Sequence, residues 1–148
     1  MIRKILVPLD GSILAQKALP YAEELAHRFE AELLIARVVQ SSPVVVEYGV
    51  PAYEIDFMQL YKEAELYLDS IKGELRELQI PAQTVVLGDR PVAEGIIDLA
   101  REKDVDLIVM STHGRSGLSR WVFGSVASKV LEHAPCPVYL VRAHNGSS

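Results

Sequence analysis

Two stretches of the chain carry residue types and spacings suited to holding an anion. The first is Ser111-Thr112-His113-Gly114, followed after nine residues by Gly124-Ser125, with Arg115, Gly117 and Arg120 between. Gly114, Gly117 and Gly124 have no Cβ, so backbone N–H groups can approach a charged ligand closely, and glycine accepts the positive φ values that build anion nests. Gly124-Ser125 leads into a helical pattern, whose first N–H groups and dipole favour phosphate. The Ser125 hydroxyl is placed either to cap that helix or to donate to a phosphate oxygen. The plain alternative is a glycine-rich turn with an ordinary serine cap. Arg115 and Arg120 either neutralise phosphate or are solvated, and His113 either donates to a ligand or holds a structural hydrogen bond.

The second stretch is Val7-Pro8-Leu9-Asp10-Gly11-Ser12, the end of an apolar run. A carboxylate beside phosphates is repelled. Asp10 therefore accepts from ribose hydroxyls, helps hold a bridging divalent cation, or caps the following helix together with Ser12. Other chemistries lack their residues. There is no G-x-x-x-x-G-K-[ST] loop to clamp phosphates with a lysine, and no G-x-G-x-x-G after the first strand. No nucleophile elbow or Cys-His pair occurs, and the third apolar run ends Val86-Leu87-Gly88 without the acceptor Asp of a receiver domain. With no general base in view, catalysis is expected to be absent, or at most slow hydrolysis or autophosphorylation from a bound phosphate ligand.

These residues need a scaffold, and the apolar pattern supplies one. Runs rich in Val, Ile and Leu occur at Ile5–Leu9, Glu32–Val39, Thr84–Leu87, Asp106–Met110 and Val138–Val141. Continuous rather than alternating hydrophobicity marks strands covered on both faces, as in a parallel sheet. Between them lie stripes of helical spacing. One runs from Ala15 to Phe29 with Ser12 as N-cap, and a second from Phe57 to Leu78. A third runs from Val92 to Ala100 behind Asp89 and Pro91, and the last comprises Val126, Val130, Leu131 and Ala134. The pattern predicts an α/β fold, β-α-β-α-β-α-β-α-β, in three α/β/α layers with four main helices. It reads as one domain over residues 1–143 and a frayed polar tail over 144–148. The connection Gln40–Ala52 carries an apolar Val44-Val45-Val46 and is expected to cover a ligand or meet a partner chain.

A net charge of −5 on 148 residues excludes a nonspecific nucleic-acid binder, which needs a basic face. Cys136 is the single cysteine, so no intramolecular disulfide or cysteine-rich metal site forms, and it reads as a small buried hydrophobe. The apolar start Ile5-Leu6-Val7 is too short for a signal peptide or membrane span, which predicts a cytoplasmic protein with no membrane partner.

From Lys4-Ile5-Leu6-Val7-Pro8-Leu9-Asp10-Gly11-Ser12 to Cys136-Pro137-Val138-Tyr139-Leu140-Val141, the chain resembles the universal stress protein family. Ser111-Thr112-His113-Gly114, nine residues and Gly124-Ser125 resemble its G-x-x-G-x9-G-[ST] nucleotide motif, with Ser111 standing where the first glycine usually falls. The resemblance implies a five-stranded parallel open sheet in the order 3-2-1-4-5 and a stress-response regulator that binds ATP, AMP or ADP, with Mg or Mn carried on the nucleotide and Asp10 as its indirect contact. It implies adenine near Val38 and Leu9, ribose near Asp10, and phosphates along Gly114, Gly117, Gly124, Ser125 and Val126. Pro8, Met110, Ser111, His113 and Arg115 complete the implied site. It also implies a homodimer through the last strand, Val138–Val141. The family includes members that do not bind ATP, so a dimeric interaction or scaffold protein with a vestigial pocket is the competing reading.

Overall fold

A computed structural model describes residues 1–40, 57–113 and 123–143. The elements run β1 (Lys4–Pro8), α1 (Ile13–Gln16), α2 (Leu19–Phe29), β2 (Glu32–Val39), α3 (Phe57–Glu77), β3 (Ala82–Gly88), α4 (Val92–Glu102), β4 (Leu107–Ser111), α5 (Ser125–His133) and β5 (Val138–Val141). All recorded strand pairings are parallel, and the sheet order is β3-β2-β1-β4-β5.

The unbroken apolar runs are explained by two cores. Ile5, Val7, Leu33, Ile35, Leu107 and Val109 pack on one face with residues of α2 and α3, including Ala22, Leu68 and Leu75. Leu6, Leu34, Ala36, Ile108 and Met110 turn to the other face, against Ile96, Ala100, Ala127 and Val130 of α4 and α5. Successive positions of the three central strands therefore bury apolar surface on both faces, which is the main favourable term in folding.

The first helical stripe differs from its expected form. Ser12 does cap, its Oγ accepting from the Ala15 N–H at 3.1 Å, but the capped helix is the single turn α1. Pro20 lies in the first turn of a separate helix, α2. In one continuous helix its ring would meet the carbonyl of Gln16, whereas in a first turn its missing N–H is not needed. The four long helices are thus preceded by this short one. At α4 the cap position is Pro91 without a side-chain cap bond, and Asp89 stands two residues earlier in left-handed backbone. Phe29 and Leu78, which end their stripes, and Leu131 within the last one are exposed rather than packed. Cys136 is only half-buried against the second core, and that burial pushes its thiol above its ordinary value.

At the opposite edge of the sheet from the strands' carboxyl ends, the Asp106 carboxylate accepts from the N–H groups of Arg3 and Lys4 at 2.9 and 3.0 Å. This staples the start of β1 to the entry of β4, the two strands at whose far ends the cleft opens. The segments 41–56 and 144–148, with Val44-Val45-Val46 and the tail, lie outside the described residues.

Candidate nucleotide cleft

Strand order reverses at β1, since the chain winds outward to β3 and then crosses back to β4. In open α/β sheets that is where ligands bind, beyond the carboxyl ends of the strands. The pairing shows why the sheet parts there. β1 pairs with β2 as far as Pro8–Ala36, but with β4 only at Ile5–Leu107 and Leu6–Ile108. The Leu9 N–H turns to Ala36 of β2 at 2.8 Å. Neighbouring residues of a strand point their N–H groups to opposite sides, so the Pro8 nitrogen faces β4 with no hydrogen to give.

The opening is a cleft of about 300 Å³, within the size range of small-molecule sites. Its walls bring together Pro8, Leu9 and Asp10 from the end of β1, Val38 from β2, Met110, Ser111 and His113 from the end of β4, and Gly124, Ser125 and Val126 from the start of α5. Gly114, Arg115 and Gly117, with Arg120, lie outside the described residues. Six lining residues were not singled out from the sequence: Ala15, Ala36, Val92, Ile96, Thr112 and Ala127. Val92 and Ile96 belong to a helical stripe that serves as core and wall at once, and spacing alone cannot separate the two uses. Thr112 sits inside the glycine-serine motif, and its signal was its hydroxyl between two already noted residues.

Each wall is fixed locally. Gly11 has φ 87°, a left-handed turn that suits glycine, and the Ser12 N–H folds back onto Asp10 Oδ1 at 2.8 Å. Asp10 therefore shapes the turn into α1 as well as lining the cleft. On the other face of the sheet, Gln16 of α1 donates from Nε2 to the Tyr67 hydroxyl of α3 at 2.7 Å, and the Arg37 guanidinium lies 5.2 Å from the Tyr67 ring centre. Burial pushes the Tyr67 phenol up, and these contacts tie the Asp10 turn to the long helix.

On the β4 side, the Ser111 hydroxyl donates to the His113 carbonyl at 2.7 Å, and Thr112 Oγ1 lies 3.1 Å from His113 Nδ1. Ser111, Thr112 and His113 are the buried polar side chains among the described residues. Ser125 is the first residue of α5 and not its cap. The cap position is Gly124, with no side-chain cap bond. The exposed Ser125 side chain and the open N–H groups of the first turn therefore meet the cleft together.

Chemically the cleft has an apolar wall of Val38, Val92 and Ile96 suited to a flat ring, and a helix start suited to an anion. Among the described residues Asp10 is its single carboxylate, and no group of three His, Cys, Asp or Glu is gathered to hold a metal. A cation fits here only where the ligand itself supplies most of the donors.

The sequence pattern of the universal stress protein family matches residues 1–142. The chain belongs to this family. This universal stress protein is 38% identical over 149 residues to the universal stress protein YxiE of Bacillus subtilis, covering 96% of this chain and 100% of that one. It is 37% identical over 145 residues to a universal stress protein of Methanocaldococcus jannaschii, covering 96% of this chain and 83% of the relative. Among solved structures it resembles the universal stress protein UspA from Lactobacillus plantarum, with a TM-score of 0.75 and 30% identity over 95% and 97% of the two chains. It shares its fold with a universal stress protein in complex with cAMP, at a TM-score of 0.70 and 21% identity over 95% and 97% of the chains. No helix among the described residues of this universal stress protein is long and apolar enough to cross a membrane.

Proposed function

We propose that this universal stress protein binds an adenine nucleotide, ATP, in the β1–β4 cleft and acts as a cytoplasmic homodimeric regulator of a stress response. The observation that carries the reading is the convergence of Asp10, Val38 and the α5 start on one cleft at the sheet's reversal point. Adenine packs against Val38 and the Leu9 end of β1, ribose hydroxyls donate to Asp10, and the phosphates lie beside Gly124 at the Ser125 and Val126 N–H groups. Gly114, Arg115 and Gly117 complete the phosphate end, and Mg or Mn enters on the nucleotide. The whole works as one domain spanning residues 1–143. Dimers form through β5, whose one unpaired edge would otherwise be a hazard.

The second reading, a dimeric interaction protein with a vestigial pocket, draws on Ser111. Its side chain lines the cleft where the family motif has a glycine, which takes room from a ligand. One experiment separates the two. The purified protein is denatured, released nucleotide is identified by mass spectrometry, and melting is followed with ATP, AMP, cAMP and GTP. ATP at about a hundredfold over Kd stabilises by about 2.7 kcal/mol, a rise of roughly 5–10 °C for a chain of this size. No adenine nucleotide in the extract and no shift with any of them would leave the scaffold reading.

A further inference from the structure

Thr112 is held by four contacts that reach three separate parts of the molecule. Its N–H donates to the Val141 carbonyl of β5 at 2.9 Å, and its carbonyl accepts from the Gly124 N–H at the start of α5 at 3.0 Å. Its Oγ1 accepts from the Ala143 N–H, just past β5, at 3.2 Å, and lies 3.1 Å from His113 Nδ1. Thr112 and Ala143 are 4% and 2% exposed, so none of these bonds is readily exchanged for water. Gly124 is pressed against the same residue, because a Cβ there would stand 3.2 Å from the Thr112 oxygen.

We propose that Thr112 is a positioning residue that couples occupancy of the cleft to the end of the edge strand β5. The coupling rests on the nucleotide reading above. A ligand whose anionic end is held by the first turn of α5 fixes Gly124 and with it the Thr112 carbonyl. A ligand that touches His113 bears on the Thr112 hydroxyl. Both effects reach the two groups that hold Val141 and Ala143, because a single buried residue makes all the bonds. A hydroxyl is what this junction needs. It accepts from Ala143 and still has a proton or a lone pair for the His113 ring, which valine cannot supply. The edge strand is the surface through which a second copy would pair, so the device gives the bound state a route to the dimer edge.

Amide hydrogen exchange of the full chain tests it, read at Ala143 and Gly124 with and without saturating ATP, alongside direct measurement of ATP affinity. ATP is expected to slow exchange at both amides, at Ala143 by up to about tenfold, the effect of one strengthened hydrogen bond. In T112V, with ATP raised until the variant is saturated, ATP is expected still to protect Gly124 while no longer slowing Ala143. T112S is expected to restore the response. A merely structural Thr112 would raise exchange in T112V equally with and without ATP. If ATP binds the parent and leaves Ala143 exchange unchanged, the coupling is wrong and the nucleotide reading stands, a result that needs no variant to fold. If ATP does not bind the parent, both fall.

Discussion

The Gly124 N–H donates to the Thr112 carbonyl at 3.0 Å, and the same oxygen would lie 3.2 Å from a Cβ at position 124. Gly124 is thus glycine for room and not for backbone freedom, since its φ of −59° and ψ of 155° suit any residue. This changes what a substitution there reports. The added carbon points at Thr112, so a binding defect would come through the displaced start of α5 as much as through contact with a ligand.

Gly124→Ala is expected to cost about 1 kcal/mol or more, because Thr112 is pinned from behind by Val141 and Ala143 and cannot retreat. Thermal unfolding should show a melting point lower by at least about 2–4 °C. ATP affinity should fall further than that loss of stability explains. An unchanged melting point would mean that the β4–β5 junction is softer than its bonds imply.

The central strands were legible because both of their faces are buried, which keeps Ile5–Val7, Leu33–Ala36 and Leu107–Met110 as unbroken apolar runs. The sheet order came through family likeness rather than pattern. The break between α1 and α2 was written in Pro20 but masked by an apolar stripe that continues across it in register. At the cleft, the residues with distinctive chemistry were visible: Asp10, Ser111, Gly124 and Ser125. Val92 and Ile96 were not, because a wall of a cleft and a wall of a core use the same side chains. Thr112 escaped for a different reason. Its importance lies in bonds to Val141 and Ala143, about thirty residues away, and no local spacing encodes a contact of that range.

Gly73 offers a contrast with Gly124. It stands exposed inside α3, and a Cβ added there would meet nothing within 4 Å. Gly73→Ala should therefore stabilise by about 0.5–1 kcal/mol through the lower entropy of the unfolded chain and better helix propensity. Denaturant titration should show a higher midpoint with an unchanged slope. A lower midpoint would indicate that this face of α3 is covered in solution.

Asp106 predicts acid sensitivity with a definite sign. The N–H groups of Arg3 and Lys4 hold its carboxyl below the usual carboxylate range, although burial works the other way. A folded-state pKa below the unfolded one adds stability at neutral pH, and that stability is lost as pH falls through the folded value. Asp106→Asn should cost about 1 kcal/mol at pH 7, less than a buried charged pair because solvent screens the partly exposed site. Melting followed from pH 7 downward should show the gap between variant and parent closing below about pH 4. A gap that stays constant with pH would mean that the staple acts through shape and not charge.

Asp10 has two proposed ligand roles, and two substitutions distinguish them. Its Oδ1 already receives the Ser12 N–H at 2.8 Å, so Asp10→Ala removes a turn contact and a ligand contact together. Asp10→Asn keeps an oxygen acceptor for the Ser12 N–H and for a ribose hydroxyl but discards the charge. If Asp10 serves the ribose, Asn should weaken ATP binding only about two- to tenfold, the range for a charge-assisted bond becoming a neutral one. The loss should be the same with magnesium or with chelator present. If Asp10 serves a cation on the phosphates, Asn should bind ATP like the parent in chelator and lose the gain that magnesium gives. Calorimetric titration of both variants, each with and without magnesium, reads these outcomes directly. The position of Asp10 favours the ribose, since it lines the cleft from the β1 end while the proposed phosphate end lies at the start of α5. A magnesium-dependent loss in the Asn variant would instead put the triphosphate across the cleft, against the end of β1.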